Sequence, residues 1–306
     1  MNGRIGLVLL MIFIIVFSGL FYFNSMFSNI SEDKFYSQEF DLSKKKILIY
    51  GSSHMVQLNS TYITEKIENH SNEYLLFNMA ENADTPKRRS LNIDKDLKIN
   101  PELIVYGIGF RDFNLLQNEK KKSEIKLIDI IPLDTTELET LNPKLTTLEA
   151  LRAVVIDIFT KNEKSTVPYP NTSIFSNRNQ EIILDEDKLK SNEETFGKIL
   201  IPIEKNEQVE YFKSIIKKLK ENNIEIIIIL TPHHKIALDE IPDNEKNNFY
   251  QILLNVEQEF DVKIYDFSNK FSDLPIWRDT THVAYNEKAI IFSHELAQII
   301  IQEITK

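Results

Sequence analysis

Residues 46–54 read KILIYGSSH: a short, mainly apolar run, a glycine, two serines and a histidine. An apolar run of this length closed by glycine is the pattern of a parallel strand buried on both faces. A serine just past such a strand sits on a strand-to-helix turn, where its hydroxyl can be an exposed nucleophile. Serine is also a preferred helix N-cap, so by itself Ser53 has a structural alternative. Similar runs follow along the chain: YLLF at 74–77, LIVY at 103–106, IEIIIIL at 224–230 and VKIY at 262–265. Pro101 launches the third and Gly107 stops it, and Thr231-Pro232 ends the fourth. Helical patterns lie between them, at 61–69, 207–222, 243–260 and 286–304. The second of these places Val209, Phe212, Ile215, Ile216 and Leu219 on one stripe. Buried strands alternating with amphipathic helices predict an α/β fold with a doubly wound parallel sheet.

Residues 115–203 interrupt this rhythm with a polar stretch and one helical pattern at 148–159, and they read as an insertion or lid between the third and fourth strands. Residues 5–23, IGLVLLMIFIIVFSGLFYF, carry no charge. As a helix they are about 28 Å long, close to the roughly 30 Å hydrocarbon core of a bilayer. Arg4 before them and Glu32 and Asp33 after them predict a cytoplasmic amino terminus and an extracytoplasmic main domain. The alternative is a cleaved signal peptide, which calls for a shorter apolar region and a small-residue cleavage site. The expected organisation is a transmembrane signal anchor at 1–23, a polar stalk at 24–45 and one domain at 46–306.

The chain has 306 residues, a hydrophobic content of 42% and a charged content of 27%, values ordinary for a globular domain. A net charge of −10 opposes binding to nucleic acid phosphates. With no cysteine, disulfides, thiolate catalysis and cysteine-ligated zinc are excluded. His233-His234 makes a poor metal pair without a third ligand. Gly107-Ile108-Gly109 lacks the third glycine of a dinucleotide turn. Neither metal nor cofactor is expected.

In an open α/β sheet, ligands bind beyond the carboxyl ends of the strands. That rule brings four segments to one rim: residues 51–54, 78–83, 107–112 and 277–282. Together they offer a serine, a base and an acid. His282 can take the Ser53 proton, and Asp279, three residues earlier, can orient the imidazole. His54 either lines the site or lies on the surface. Arg111 either meets substrate or pairs with Asp112 in the loop.

These segments, in this order, resemble the SGNH/GDSL hydrolases. Gly51-Ser52-Ser53 is similar to the family's first block, with Ser52 in place of the usual aspartate. This GSS form is closest in style to membrane-anchored members associated with envelope polysaccharide O-acylation. Asp279 and His282 match the terminal D-x-x-H block. Residues 78–86 resemble the second block, with Ala83 at the glycine whose N–H joins the oxyanion hole. Gly109 to Asp112 resembles G-x-N-D, with Arg111 in place of the asparagine donor. The resemblance covers residues 46–112 and 224–304. It implies a three-layer, flavodoxin-like α/β fold with Ser53, Asp279 and His282 as catalytic triad. It further implies Ala83, Asn78, Gly109, Arg111 and His54 as oxyanion or substrate-binding residues. The activity it implies is a serine esterase or O-acyltransferase acting on a cell-envelope glycopolymer, with a multi-spanning acyl donor protein as a partner. The substitutions at Ala83 and Arg111 keep open a catalytically impaired, glycan-binding or scaffold subunit.

Overall fold

The computed structural model describes residues 35–36, 43–115, 181–191 and 199–306. The expected anchor at 5–23, most of the stalk and the helix expected at 148–159 lie outside the described residues. Among the described residues no helix is long and apolar enough to cross a membrane.

In chain order the elements are β1 (Lys45–Tyr50), α1 (Ser53–Val56), α2 (Ser60–His70), β2 (Tyr74–Asn78), α3 (Pro86–Ser90), α4 (Ile93–Lys98) and β3 (Pro101–Ile108). After a 3-10 turn at Phe110–Phe113 come α5 (Glu186–Ser191), α6 (Glu207–Glu221), β4 (Glu225–Leu230), α7 (Lys235–Glu240), α8 (Asp243–Phe260) and β5 (Lys263–Asp266). A second 3-10 turn, Glu287–Ala289, leads into α9 (Ile291–Ile304). The five strands form one sheet in the order β2-β1-β3-β4-β5, with every pairing parallel. This is the doubly wound order in which the connections reverse direction between β1 and β3, so the ligand crevice opens at their carboxyl ends.

Side-chain alternation splits the sheet into two buried faces. Leu48, Tyr50, Ile104, Tyr106, Ile226 and Ile228 face α6 and α8. Ile47, Ile49, Leu103, Val105, Ile227 and Ile229 face α1, α2 and α9. The expected stripe of α6, from Val209 to Leu219, is the buried one, starting after Asn206, whose side chain caps the Gln208 N–H. Burying each large apolar side chain is worth about 1.5–3 kcal/mol. The eighteen-residue α8 has the expected bounds because Asp261 leaves the helix in the left-handed region, at φ 50°.

Three expectations are corrected. Gly107 does not stop β3: it pairs with Ile229 and the strand runs to Ile108. The absence of a Cβ matters there, since one would lie 2.3 Å from Met55 Sδ, which packs over the strand. The final helix begins at Ile291 rather than 286, because Asn286 caps a 3-10 turn first. The stalk is not wholly separate from the domain. Phe35 is buried, edge-on to Phe77 at 5.5 Å, and the Tyr36 hydroxyl bonds the Asp96 carboxylate.

Candidate active site

The serine is presented by a turn that only glycine allows. After Tyr50, Gly51 takes φ 142°, and a Cβ there would meet Met55 Cγ at 2.5 Å and the Gly107 carbonyl at 2.9 Å. Ser52 is the N-cap residue of α1, so Ser53 occupies the first helical position and is not the cap. The Ser52 side chain does not cap the helix either; its hydroxyl bonds the Asp112 carboxyl, which also accepts the Gly109 N–H at 2.6 Å. The turns after β1 and β3 are thereby tied together. Burial pushes the Asp112 carboxyl up to about 7, Asp84 adds to the effect, and the Gly109 and Ser52 hydrogen bonds oppose it.

The Ser53 hydroxyl is free to turn into the site. Its Oγ lies 2.6 Å from His282 Nε2. His282 Nδ1 lies 2.9 Å and 3.0 Å from the two Asp279 oxygens. Since a carboxylate only accepts, Nδ1 carries the proton and Nε2 presents its lone pair to the Ser53 O–H. Asp279 Oδ1 also accepts the backbone N–H groups of Thr281 at 2.8 Å and His282 at 2.7 Å, and the Thr281 hydroxyl at 3.0 Å. Oδ2 accepts Arg278 Nε at 3.0 Å. Burial works to raise the Asp279 carboxyl, but the His282 charge and hydrogen bond, Arg278 and the Thr281 N–H outweigh it and hold the group well below the usual carboxylate range. The loop is closed by an antiparallel bridge between Trp277 and Val283 and by Arg278 N–H donating to the His282 carbonyl at 3.1 Å. His234 N–H donates to the Thr280 carbonyl at 3.0 Å, anchoring the loop to the end of β4.

His54 is buried, which corrects the reading of it as a surface histidine. Its ring stacks on His282, with centroids 4.6 Å apart and planes 22° from parallel. His233, read from sequence only as part of a poor metal pair, stands 5.0 Å from His54 and donates Nδ1–H to the Thr231 carbonyl. Burial holds His54 well below its ordinary value and pushes His233 down to about 3. Both rings are therefore neutral near pH 7. The positive charge of Arg111 acts on both in the same direction. His234 caps α7 by accepting the Ile236 N–H at 3.1 Å, and the two adjacent histidines diverge. Among the described residues no group of three or more histidine, aspartate or glutamate side chains is arranged to hold a metal ion.

Two expected substrate contacts are otherwise committed. The Asn78 amide donates to the Met55 carbonyl at 3.0 Å and to Ser60 Oγ at 3.2 Å, and its oxygen accepts the Ala80 N–H. It clamps α1 and α2 to the end of β2 instead of facing ligand. The Gly109 N–H is held by Asp112, so this glycine serves close packing: a Cβ would stand 2.8 Å from Thr231 Oγ1. Ala83 is exposed in the loop after β2 at φ 54°, where a side chain costs about 1 kcal/mol relative to glycine. Below that loop Arg89, 1% exposed, bonds Asp84 and donates to the Met79 carbonyl at 2.7 Å. Asp96 lies 3.8 Å from the same guanidinium and accepts the Tyr50 hydroxyl at 2.7 Å. Sequence reading did not single out Thr281 or Arg89. The D-x-x-H spacing implies an aspartate-led turn that engages the Thr281 N–H, whereas nothing local marks Arg89 as buried.

The rim thus holds a serine nucleophile arrangement: hydroxyl, imidazole base and ionised acid in hydrogen-bond succession. First-turn helix amides have no intrahelical acceptor, which makes the Ser53 and His54 N–H groups donors beside the nucleophile. No family model matches the chain, and no curated protein matches it. Solved structures similar to it include a psychrotrophic esterase from Pseudoalteromonas sp., 10% identical with a TM-score of 0.46 over 86% of this chain and 100% of the other. An acetylxylan esterase from Geobacillus stearothermophilus is 10% identical with a TM-score of 0.46 over 85% of this chain and 94% of its own. A lipase/acylhydrolase from Enterococcus faecalis is 12% identical with a TM-score of 0.45 over 85% and 95% of the two chains. At these values likeness does not define an activity, and the geometry of the site has to carry it.

Proposed function

We propose that this chain is a membrane-anchored serine esterase or O-acyltransferase that works on ester-linked acyl groups of a cell-envelope glycopolymer. The observation that carries the proposal is the 2.6 Å contact between Ser53 Oγ and His282 Nε2, with Asp279 2.9 Å behind the other ring nitrogen. As Oγ bonds to the ester carbonyl carbon, its proton passes to Nε2, and Asp279 stabilises the imidazolium. When the tetrahedral intermediate collapses, the ester C–O bond breaks and His282 returns the proton to the departing alcohol. The acyl group rests on Ser53. Water or a sugar hydroxyl then attacks, giving its proton to His282, and Ser53 leaves as the restored hydroxyl.

The glycopolymer substrate and the neighbouring acyl donor protein rest on the family resemblance of the GSS turn. The apolar segment at 5–23 supports an anchor with the domain outside the membrane. Arg111, in the turn after β3, suits an anionic group near the ester. The test is a serine-directed fluorophosphonate probe on the full-length chain, with hydrolysis of an activated acetyl ester as the second readout. Labelling and hydrolysis that both disappear in Ser53→Ala support the enzyme. If the wild-type chain neither labels nor hydrolyses, the glycan-binding or scaffold reading, which the residues at Ala83 and Arg111 motivate, takes its place. Mass spectrometry of a glycan acceptor then separates transfer from release of free acid.

A further inference from the structure

His54 has no part in the acyl-transfer steps, yet it occupies the centre of the site. It follows the nucleophile directly, is buried, and lies nearly parallel to the base at 4.6 Å. Its Nδ1 is buried and makes no hydrogen bond, so packing sets the position of the ring. His233 also packs against the His54 ring at 5.0 Å, itself edge-on to Phe110 at 5.4 Å. The hydrogen-bond partners of the His282 ring all meet its two nitrogens: Ser53 at Nε2, and Asp279 and the Thr281 hydroxyl, 2.8 Å away, at Nδ1. Those bonds act in the plane of the ring and bend as it tilts about its Cβ–Cγ bond, and a flat ring against its face limits that tilt.

We propose that His54 is a positioning residue for the general base: its ring walls one face of His282, keeps the imidazole in line between Ser53 and Asp279, and excludes water from that face. The inference rests on the triad reading above. Parallel rings at this spacing attract one another, and orientation of the base is what a reacting serine needs. The wall has to be neutral, since a second cation would oppose imidazolium formation. Burial keeps it so: the desolvated ring is held neutral, and the Arg111 charge acts in the same direction, with Asp279 opposing.

The test compares His54→Phe, His54→Gln and His54→Ala in the full-length chain, by fluorophosphonate labelling rate from pH 5 to 9 alongside thermal melting. The phenylalanine variant keeps the ring and is expected within about fivefold of the wild-type rate, with the acidic limb of the profile unmoved. Glutamine and alanine remove the wall, and the rate should fall about ten- to a hundredfold. Their acidic limb moves to higher pH, because water reaching His282 solvates the imidazolium better than a ring face does. If alanine does not fold, the phenylalanine–glutamine comparison decides. Equal rates for those two variants at equal melting temperature, or an unmoved acidic limb in glutamine, overturn the proposal. Loss of labelling in the wild type itself strikes the triad reading instead.

Discussion

At Asp279 one carboxylate gathers two backbone N–H groups, a threonine hydroxyl, an arginine and the imidazole. Replacing it with asparagine keeps the shape but offers an N–H₂ where Nδ1–H needs an acceptor. Asp279→Asn is therefore expected to cut acetyl-ester hydrolysis by about 10³–10⁴ with little change in melting temperature; a loss under tenfold would remove Asp279 from the mechanism. Asp112 titrates in the opposite sense. Its folded-state value, about 7, lies above that of an unfolded aspartate, so its contribution to stability is complete near pH 4 and is lost as pH rises through 7. The stability difference between wild type and Asp112→Asn should fall by on the order of 3–4 kcal/mol from pH 4 to pH 8, read by urea unfolding. A flat difference means that the carboxyl is ionised throughout. The residues of the D-x-x-H and GSS segments were legible because residue type and spacing announce them. The burial of His54 was not, because nothing adjacent in the chain says which ring covers it.

Among the elements, α6 and α8 were readable in the sequence since their apolar positions recur at helical spacing and are the ones buried. The short α3 and α4 were not. Their inward groups include Arg89 and Asp96, which meet Asp84 from the loop before α3, and hydrophobic periodicity does not register a core built partly of charge. Burial pushes the Asp84 carboxyl up to about 6 despite Arg89, and burial likewise opposes the Arg89 charge, which the two aspartates more than restore. Arg89→Met strands both carboxylates and releases the Met79 carbonyl. The expected loss is about 3–5 kcal/mol at pH 8 and less at pH 5, where the stranded carboxyls take up protons. Equilibrium denaturation at the two pH values checks this. A loss below about 1 kcal/mol would show the cluster to be dispensable for the loop after β2.

For the whole molecule, the anchor proposed at 5–23 makes the location testable. Full-length chain should sediment with membranes and resist salt extraction, and added protease should digest the main domain from the extracytoplasmic side only. Recovery in the cytosolic fraction would withdraw the envelope substrate. From sequence alone, the strand and helix pattern and the absence of cysteine determined an α/β domain without disulfides or thiol chemistry, because buried strands and amphipathic helices each write their period locally. The tertiary structure alone decided the rest. Ser53 and His282 are 229 residues apart, and their 2.6 Å contact exists only because parallel pairing of β1, β3 and β4 brings those strands' carboxyl ends to one rim, where the loop after β5 is tied to the turn after β4. The same packing buried His54 against the base, committed the Asn78 amide and the Gly109 N–H to holding loops, and drew Phe35 and Tyr36 into the domain. Such outcomes depend on which surfaces meet, and a linear pattern carries no record of that.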